Sequence, residues 1–498
     1  MADAALEKLC TDEANADLCF VITEIKANAE SIVNGVDTFY LLFAGTTVFL
    51  MQAGFAMLCA GSIRQKNVKN IILKNLLDAC GGAIGFWAFG YAFAYGASES
   101  STPNTDFIGS ENFFMNGLMG HADWIFWFFQ WAFAAAAATI VAGTVAERCK
   151  MSAYLCYSFF LTAFVYPVVA RSIWSGNGFL TAFNPDPFMG TGMIDFAGSG
   201  VVHMTGGATA LIAAIILGPR TGRFYDADGQ ALEEPANFAG HSSALSVLGT
   251  FILWVGWYGF NPGSSLMIAN ADSASVAALC AVTTTMSAAA GGISSMATDT
   301  LLGLLTTGET EYDVTCAMNG VLAGLVAITA GCSVVDPWAA VIIGIIAGWV
   351  YLAFSKFLIM MKIDDAVDAC PVHFANGMWG CIAVGLFANP ACVAGAYSGL
   401  REGGLFYGDT NILVCQICGV LWVVGWVAVT MTPFFTALKF LGMFRVDALE
   451  EEVGLDISHH KGSAYDMTGP NKEDIEELVA RKSTQHGGGV EKPEGDVA

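Results

Sequence analysis

Long apolar stretches, separated by short polar loops, make up most of this 498-residue chain. A helix needs about 20 apolar residues to cross roughly 30 Å of hydrocarbon, and it satisfies its own backbone hydrogen bonds there. The pattern therefore predicts an all-α, polytopic membrane protein with eleven transmembrane helices. The predicted spans are residues 39–62, 76–97, 123–146, 151–172, 195–218, 241–262, 273–298, 315–332, 337–361, 370–389 and 410–438.

Composition supports this class. The chain is 55% hydrophobic and only 13% charged, with a mean hydropathy of +0.56, which lies outside the range of ordinary soluble proteins. The net charge of -23 is concentrated at the two ends, as expected for solvated tails. We therefore expect no nucleic-acid partner. No set of residues typical of a catalytic site is visible either, so we do not expect an enzyme.

Three regions follow from the pattern. Residues 1–38 contain eight acids and two lysines, without the basic and apolar regions of a signal peptide, and form an expected extracellular segment. Residues 39–444 form the eleven-helix domain. Residues 445–498 form a cytoplasmic, regulatory and partly disordered tail, with a possible short helix at 471–482 and a glycine run at 487–489.

Lysine and arginine residues predict the orientation, because they are enriched in cytoplasmic loops. One side of the predicted topology carries few of them before the tail: Lys8, Lys26, Arg171 and Arg401. The other side carries Arg64, Lys66, Lys69, Lys74, Arg148, Lys150, Arg220, Arg223, Lys356, Lys362 and Lys439. We therefore expect the N-terminus outside and the C-terminus in the cytoplasm. Cys10 and Cys19 fall in the outside segment, where a disulfide within or between subunits is possible.

An unusual pattern occurs twice, an aspartate followed eight residues later by a histidine in an apolar helix: Asp195 with His203, and Asp365 with His373. The two copies lie at the starts of the fifth and tenth predicted helices, five positions apart, so they run in opposite directions, as in an inverted five-helix repeat followed by a final helix. A rise of 1.5 Å per residue places each histidine about 12 Å from its aspartate, near the membrane midplane.

The same spacing limits the roles of these residues. Eight helical steps separate aspartate and histidine by more than a hydrogen bond, so neither aspartate directly orients its own histidine. Each aspartate either caps its helix, or, for Asp195, supports a cation site at the outer mouth. The histidines are either satisfied interior residues or pore residues. We expect no metal site, because only Cys370 and Met204 lie nearby as further ligands.

Four segments carry a resemblance to a known family: 146–148 (Ala-Glu-Arg), 195–203, 256–264 and the tail segment 454–465. They resemble the ammonium transporters of the Amt/Mep/Rh superfamily, most closely the eukaryotic plant-type branch, over about residues 39–466. The resemblance implies ammonium or ammonia as the substrate, a homotrimer with a pore in each subunit, and no cofactor. It also implies a location in the cell membrane.

The resemblance implies a role for several side chains. Trp174, Phe133 and Ser264 would recruit ammonium, with Phe129 and Gln130 nearby; Phe133 and Phe260 would form a gate; and His203 and His373 would line an apolar pore. Aromatic faces attract a cation, and deprotonation avoids the cost of moving a charge through apolar surroundings. The alternatives left open are an ammonium sensor or transceptor and a channel for another small neutral solute.

Three residues depart from the family pattern. Phe374 follows His373, where the family usually has a small residue, and could narrow the pore. Arg171 places a cation near Trp174. Ser458 replaces a threonine in a tail that the family docks on a neighbouring subunit, and a kinase acting on Ser458 would add negative charge and undock the tail.

Overall fold

The computed structural model describes residues 10–11, 16–96, 107–397 and 399–465. Helices account for nearly all of its regular structure, and the only pairing of extended backbone among these residues consists of three isolated bridges. The predicted all-α class is confirmed. Ten helices are long and apolar enough to cross a membrane, and Val314–Ile328 is an eleventh, shorter apolar helix.

The membrane helices are labelled in chain order. They are α1 Ala16–Ser62, α2 Gln65–Tyr95, α3 His121–Thr144, α4 Met151–Trp174, α5 Ser199–Leu217, α6 Ser243–Ser265, α7 Ala271–Thr307, α8 Val314–Ile328, α9 Pro337–Met360, α10 Cys370–Phe387 and α11 Asn411–Phe440. Short helices occupy the connections at Phe113–Met115, Phe188–Gly190, Pro390–Ala396 and Leu405–Tyr407. The tail adds α12 Ala448–Val453 and α13 Leu455–His460.

Several helix ends differ from those expected. α1 begins 23 residues before residue 39, α2 begins at Gln65 rather than residue 76, and α7 continues to Thr307. A helix satisfies its own backbone in water as well as in lipid, so hydrophobicity alone does not fix where it ends. α8 ends at Ile328 because the next residues leave the helix: Thr329 and Ala330 accept backbone hydrogen bonds from the segment before α5.

The N-terminal cysteines lie within reach of each other. Cys10 and Cys19 form a disulfide within one chain, with their Cα atoms 5.2 Å apart. Of the two possibilities raised by the sequence, the structure contains the intrachain form.

Two faces of the helix bundle organise the site. The Trp174 side is the face where α2, α4 and α6 end and α3 begins, around one cavity. The tail side is the face where α1 and α9 end and α6 and α10 begin, around another. The segment leading into α5 lies on the Trp174 side, whereas α10 begins on the tail side. The two Asp–His segments therefore run in opposite directions, as an inverted repeat requires.

α5 and α10 cross very closely. Each opens with a π-helical turn that contains its histidine, at Ser199–Met204 and at Cys370–Ala375. Gly207 lies at the crossing, where a Cβ atom would lie only 2.4 Å from the backbone nitrogen of Phe374. A π-helical turn is rare and occurs frequently at functional sites. The absence of a side chain at Gly207 lets the two π-helical segments approach each other.

The tail helices pack on the tail side of their own chain. The Asp456 carboxylate accepts hydrogen bonds from the backbone N–H groups of Lys69 and Asn70, both at 2.9 Å, at the start of α2. The backbone N–H of Leu455 donates to Asn67 Oδ1 at 2.9 Å. These hydrogen bonds hold α13 against the start of α2. The predicted helix at 471–482 and the glycine run at 487–489 lie outside the described residues.

Candidate functional site

A small aromatic cavity of about 60 Å³ opens on the Trp174 side. All five residues expected at a recruitment site line it: Phe129, Gln130, Phe133, Trp174 and Ser264. They come from α3, α4 and α6, which are distant in sequence. We call this space the aromatic cavity.

Hydrogen bonds orient two of these side chains. The indole N–H of Trp174 donates to the backbone carbonyl of Asp195 at 2.7 Å, which holds its ring edge-on to Phe133 with the centroids 5.8 Å apart. Ser264 Oγ donates to the backbone carbonyl of Phe260 at 2.8 Å, so the lone pairs of this hydroxyl stay available. The cavity combines π faces with an oxygen acceptor, which suits a small cation that carries N–H donors.

The sequence did not identify every lining residue. Tyr95 OH donates to Gln130 Oε1 at 2.7 Å and fixes that amide at the wall of the aromatic cavity. Tyr95 lies 35 residues from its partner and belongs to no recognisable motif, so no local signal could have found it. The other unexpected lining residues are Phe126, Phe183, Phe196 and Leu266.

Two stacked phenylalanines close the aromatic cavity on the inner side. The Phe133 and Phe260 rings lie 4.0 Å apart at an angle of 27°, and both are buried. Phe260 also lies 5.4 Å from the imidazole of His203. The pair therefore separates the aromatic cavity from the histidines.

The two histidines contact each other at the centre of the bundle. His203 Nδ1 and His373 Nδ1 lie 3.2 Å apart, and both rings are buried. One of these nitrogens must donate and the other must accept at this contact. His203 Nε2 has no hydrogen-bond partner among the described residues. A buried polar atom without a partner is costly, so this nitrogen is suited to a transient ligand.

Trp257 sets the position of His203. Its indole stacks on the imidazole with the ring centroids 5.2 Å apart, and its N–H donates to Thr329 Oγ1 at 3.0 Å. Trp257 belongs to the 256–264 motif, but nothing in the local sequence pattern assigns it a role.

Both aspartates bind backbone N–H groups at the starts of their helices. The carboxylate of Asp195, which is buried, accepts from Gly198, Gly200 and Val201 at 2.8–3.1 Å. The half-buried carboxylate of Asp365 accepts from Val367 and Cys370. This is the cap geometry that the spacing allowed. Asp195 also serves the aromatic cavity, through the carbonyl that accepts from Trp174.

Arg171 and Phe374, two of the residues that depart from the family pattern, point away from the cavities. Arg171 is buried, and its guanidinium donates to the backbone carbonyls of Ala94 and Gly96 at 3.4 Å. It is not among the described residues that line the aromatic cavity. Phe374 packs on Phe354 with their rings 6.0 Å apart, and the wall of the cavity beyond His373 does not include it.

Two spaces continue the line of cavities from His373 to the tail side. The histidine cavity, about 10 Å³, is lined by His373 and by apolar residues that include Phe55 and Val367. The tail-side cavity is far larger, about 500 Å³, and contains several ionisable side chains. From the Trp174 side to the tail side, the successive cavities are thus lined first mainly by aromatic residues, then mainly by apolar residues, and finally by several charged residues.

A buried ionic cluster borders the tail-side cavity. Arg220 binds Asp364 at 2.8 Å and Glu147 at 2.9 Å, and Arg64 also pairs with Glu147. Burial opposes ionisation of Asp364, but the hydrogen bonds and charge of Arg220, with the charge of Arg148, hold the pKa of that carboxyl well below its usual range. From sequence, Arg64 and Arg220 were only markers of topology, whereas Arg148 also belongs to the 146–148 segment that carries the family resemblance.

Known proteins are similar to this chain over most of its length. The model of the Ammonium Transporter Family matches residues 38–465. Ammonium transporter 1 member 3 of Solanum lycopersicum is 44% identical over 452 residues, which cover 88% of this chain and 95% of that protein. Ammonium transporter 1 member 2 of Arabidopsis thaliana is 44% identical over 464 residues, covering 90% of this chain and 87% of that protein.

Solved structures share the fold. A structure named Sensor Amt Protein has a TM-score of 0.73 and 34% identity, covering 86% of this chain and all of that one. The crystal structure of Candida albicans Mep2 has a TM-score of 0.72 and 25% identity, covering 86% of this chain and 92% of that one.

Proposed function

The chain belongs to the Ammonium Transporter Family and is a multi-pass membrane protein that takes up ammonium rather than an enzyme; from this premise we propose how its residues carry the substrate. Ammonium binds in the aromatic cavity, loses its proton, and passes as ammonia between Phe133 and Phe260 to the histidines. The observation that carries this proposal is a continuous series of side-chain contacts. It begins at the aromatic cavity, passes through the stacked rings of Phe133 and Phe260, and ends at the imidazole pair.

Recruitment depends on the aromatic cavity. Trp174 and Phe133 attract the charge through their π faces, while the Ser264 hydroxyl and Gln130 offer oxygen acceptors to N–H donors. Potassium has a similar charge and size but no N–H donors. The directional acceptors therefore favour ammonium.

Deprotonation precedes the passage through the centre. Moving an ammonium ion between two buried phenyl rings would remove its hydration without a compensating partner, whereas neutral ammonia costs much less. Beyond the rings, the unpartnered His203 Nε2 accepts or donates a single hydrogen bond to ammonia. Two neutral imidazoles in contact then pass the molecule towards the histidine cavity.

Topology and assembly complete the proposal. The distribution of lysine and arginine favours the Trp174 side outside and the tail side in the cytoplasm, in the cell membrane. We propose a homotrimer in which each subunit contains its own complete path, since every residue of the line comes from one chain. The three regions are then an outer N-terminal segment of residues 1–38, a transporter domain of 39–444 and a cytoplasmic tail of 445–498.

The test is voltage-clamp recording together with uptake of labelled methylammonium. We expect uptake that ammonium inhibits and urea does not. His203→Ala and Trp174→Leu should lower this uptake at least tenfold, whereas Trp338→Leu, a matched change at an exposed tryptophan, should not. Current with uptake means that charge crosses; uptake without current means net ammonia conduction. Normal uptake in both His203→Ala and Trp174→Leu would contradict the proposed path.

The tail is the proposed regulator. Ser458 Oγ donates to the backbone carbonyl of Gly454 at 3.0 Å within α13, next to the Asp456 contacts that hold α13 on α2. A phosphate from a kinase would add about -1.5 to -2 charge beside this carboxylate and weaken the docking. Ser458→Asp should lower uptake and Ser458→Ala should not. Equal uptake in both variants would exclude this switch.

A sensing role is the second candidate, and the 34% identical structure named Sensor Amt Protein is the observation that favours it. A sensor would bind ammonium in the aromatic cavity without steady transport. Saturable ammonium binding with neither current nor uptake would support sensing and contradict the transport path.

A further inference from the structure

The junction between the histidine cavity and the tail-side cavity contains one polar side chain that faces both. Asn319 and Val367 are the two residues shared by the linings of these spaces. Asn319 is only 4% exposed. Whatever leaves His373 towards the tail side passes this amide.

Among the described residues, only the N–H group of the Asn319 side-chain amide has a hydrogen-bond partner. Its amide N–H donates to Tyr351 OH at 3.1 Å, and Tyr351 OH donates in turn to Asp368 Oδ2 at 3.1 Å. No donor among the described residues reaches Asn319 Oδ1. Because Asn319 lines both cavities, this oxygen can accept a hydrogen bond from the N–H group of a ligand there.

Asp368 is the carboxylate at the end of this chain of hydrogen bonds. It lines the tail-side cavity and accepts from two hydroxyls, Tyr351 OH and Ser355 Oγ, each at 3.1 Å. Its neighbour Asp364 is different, since it is paired with Arg220 and Arg223. None of the ion pairs within the described residues includes Asp368. A cation in the tail-side cavity therefore finds a partner at Asp368 and not at Asp364.

We propose that Asn319, Tyr351 and Asp368 form an inner ammonium site, where ammonia arriving from His373 regains its proton. This rests on the proposed function, which delivers ammonia to the histidine cavity. The Asn319 carbonyl accepts one N–H of ammonia. The nitrogen lone pair then takes the Asp368 carboxyl proton, so that one O–H bond breaks, one N–H bond forms, and ammonium is left beside a carboxylate. When ammonium departs, a hydronium ion of the solvent on the tail side gives its proton to the Asp368 carboxylate and becomes water.

The surroundings of Asp368 suit this cycle. Burial, and then the charge of Asp365, raise its pKa to about 7, against the hydrogen bonds of Ser355 and Tyr351 and the charge of Arg223. The thiols of Cys316 and Cys370 are the other titratable groups that interact electrostatically with the Asp368 carboxylate. A proton donor works best when its pKa lies near the working pH.

The test varies the pH on the tail side alone. Right-side-out membrane vesicles bearing the full chain are loaded with buffer at about pH 6 or about pH 8, with the outer pH constant, and initial methylammonium uptake is measured. For wild type we expect uptake to be about tenfold faster at the lower internal pH, because the protonated fraction of a carboxyl with a pKa near 7 changes by that factor. Asp368→Asn should be slow at both values, with a ratio at least threefold smaller than that of wild type.

Matched variants separate the site from general effects. Asp313→Asn removes a charge from the same cavity but keeps the cap of α8, since asparagine also caps helices, so it should retain both the rate and the ratio of wild type. Tyr351→Phe keeps the carboxyl and loses one donor to it. It should move the midpoint of the internal-pH dependence upward, because the carboxylate loses a hydrogen bond.

The outcomes distinguish a failure of the inner ammonium site from a failure of the proposed transport path. If Trp174→Leu lowers uptake while Asp368→Asn matches wild type in rate and ratio, the inner site is wrong and the proposed path stands. If wild type itself takes up no methylammonium, both fail. If Asp368→Asn does not reach the membrane, an unchanged midpoint in Tyr351→Phe overturns the inner site.

Discussion

The two Asp–His segments place their histidines in the same way but in different surroundings. In both, an aspartate binds the first backbone N–H groups and a π-helical turn presents the histidine. Beside α5, however, the neighbours are aromatic, and Trp257 stacks on His203. Beside α10 the wall of the cavity beyond His373 is mainly apolar, and it includes the amide of Asn319, which leads to the charged tail-side cavity.

An inverted repeat can therefore give two segments the same position in the membrane without giving them the same chemical surroundings. The caps and π-helical turns bring the two imidazoles to one point. The residues around them make one end suited to a cation entering from water, and the other suited to returning a proton.

Removing the two caps should have unequal effects. Asp195→Ala leaves three backbone N–H groups without an acceptor in a fully buried site, and each costs about 1–3 kcal/mol. Asp365→Ala leaves two at a half-buried site, where water can replace the carboxylate. We expect methylammonium uptake per transporter at the cell surface to fall about 100-fold for Asp195→Ala and about tenfold for Asp365→Ala.

Asp195→Asn is the control for this pair. It keeps one oxygen acceptor and should retain more uptake than Asp195→Ala. Equal losses in the two alanine variants would mean that the caps are equivalent, and the proposed asymmetry would fail.

The crossing of the two copies should not tolerate a methyl group. Gly207→Ala would force α5 and α10 apart at the backbone of Phe374, and overpacking of this kind costs about 1–3 kcal/mol. The midpoint of thermal unfolding in detergent should fall, and uptake should drop about tenfold as the imidazoles separate. Gly425→Ala, whose Cβ meets nothing within 4 Å, should leave both unchanged or slightly raise the midpoint. Similar midpoints in the two variants would contradict the close crossing.

Within the aromatic cavity, the hydroxyl of Tyr95 should matter modestly. Tyr95→Phe frees the Gln130 amide from a hydrogen bond worth about 0.5–1.5 kcal/mol, so the half-saturation concentration for methylammonium should rise about threefold. The maximal rate should not change. Tyr91→Phe is the matched control one turn earlier, since Tyr91 OH makes no hydrogen bond within the described part of the chain. If both variants behaved alike, Tyr95 would have no specific role.

The smallest effect should come from Phe374, despite its position next to His373. Its ring packs on Phe354, so Phe374→Leu should change initial uptake by less than about twofold, as for a conservative apolar exchange away from the path. Phe55→Leu, which alters the wall of the histidine cavity 6.0 Å from His373, should change it more. A larger effect at Phe374 would show that it narrows the path after all.

Much of this molecule could be predicted from the sequence. The length of the apolar segments predicted the membrane helices, and the repeated spacing from Asp195 to His203 and from Asp365 to His373 predicted two histidines at one depth. The family resemblance then pointed to Trp174, Phe133 and Ser264. Each of these signals lies within one segment of the sequence. Ionisable residues are costly at membrane depth, so their presence in an apolar helix indicates a functional role.

Other features depended on contacts between distant segments. Tyr95, Trp257 and the pair Asn319–Tyr351 carry no local signal, because their roles come from partners on other helices. Helix ends were also misplaced, most of all in α1, since a helix can continue in water.

Hydrophobicity and residue spacing along the chain were enough to predict the fold class, the membrane helices and the paired histidines, because these properties act along one chain. Which side chains complete each end of the path depended on how the helices pack in three dimensions. The tertiary structure showed Arg171 and Phe374 directed away from the cavities, and it showed that Asp368 forms no ion pair with any residue in the described part of the chain. Such choices depend on which surfaces meet when helices pack, and side-chain direction across a helix interface is not encoded in any single segment.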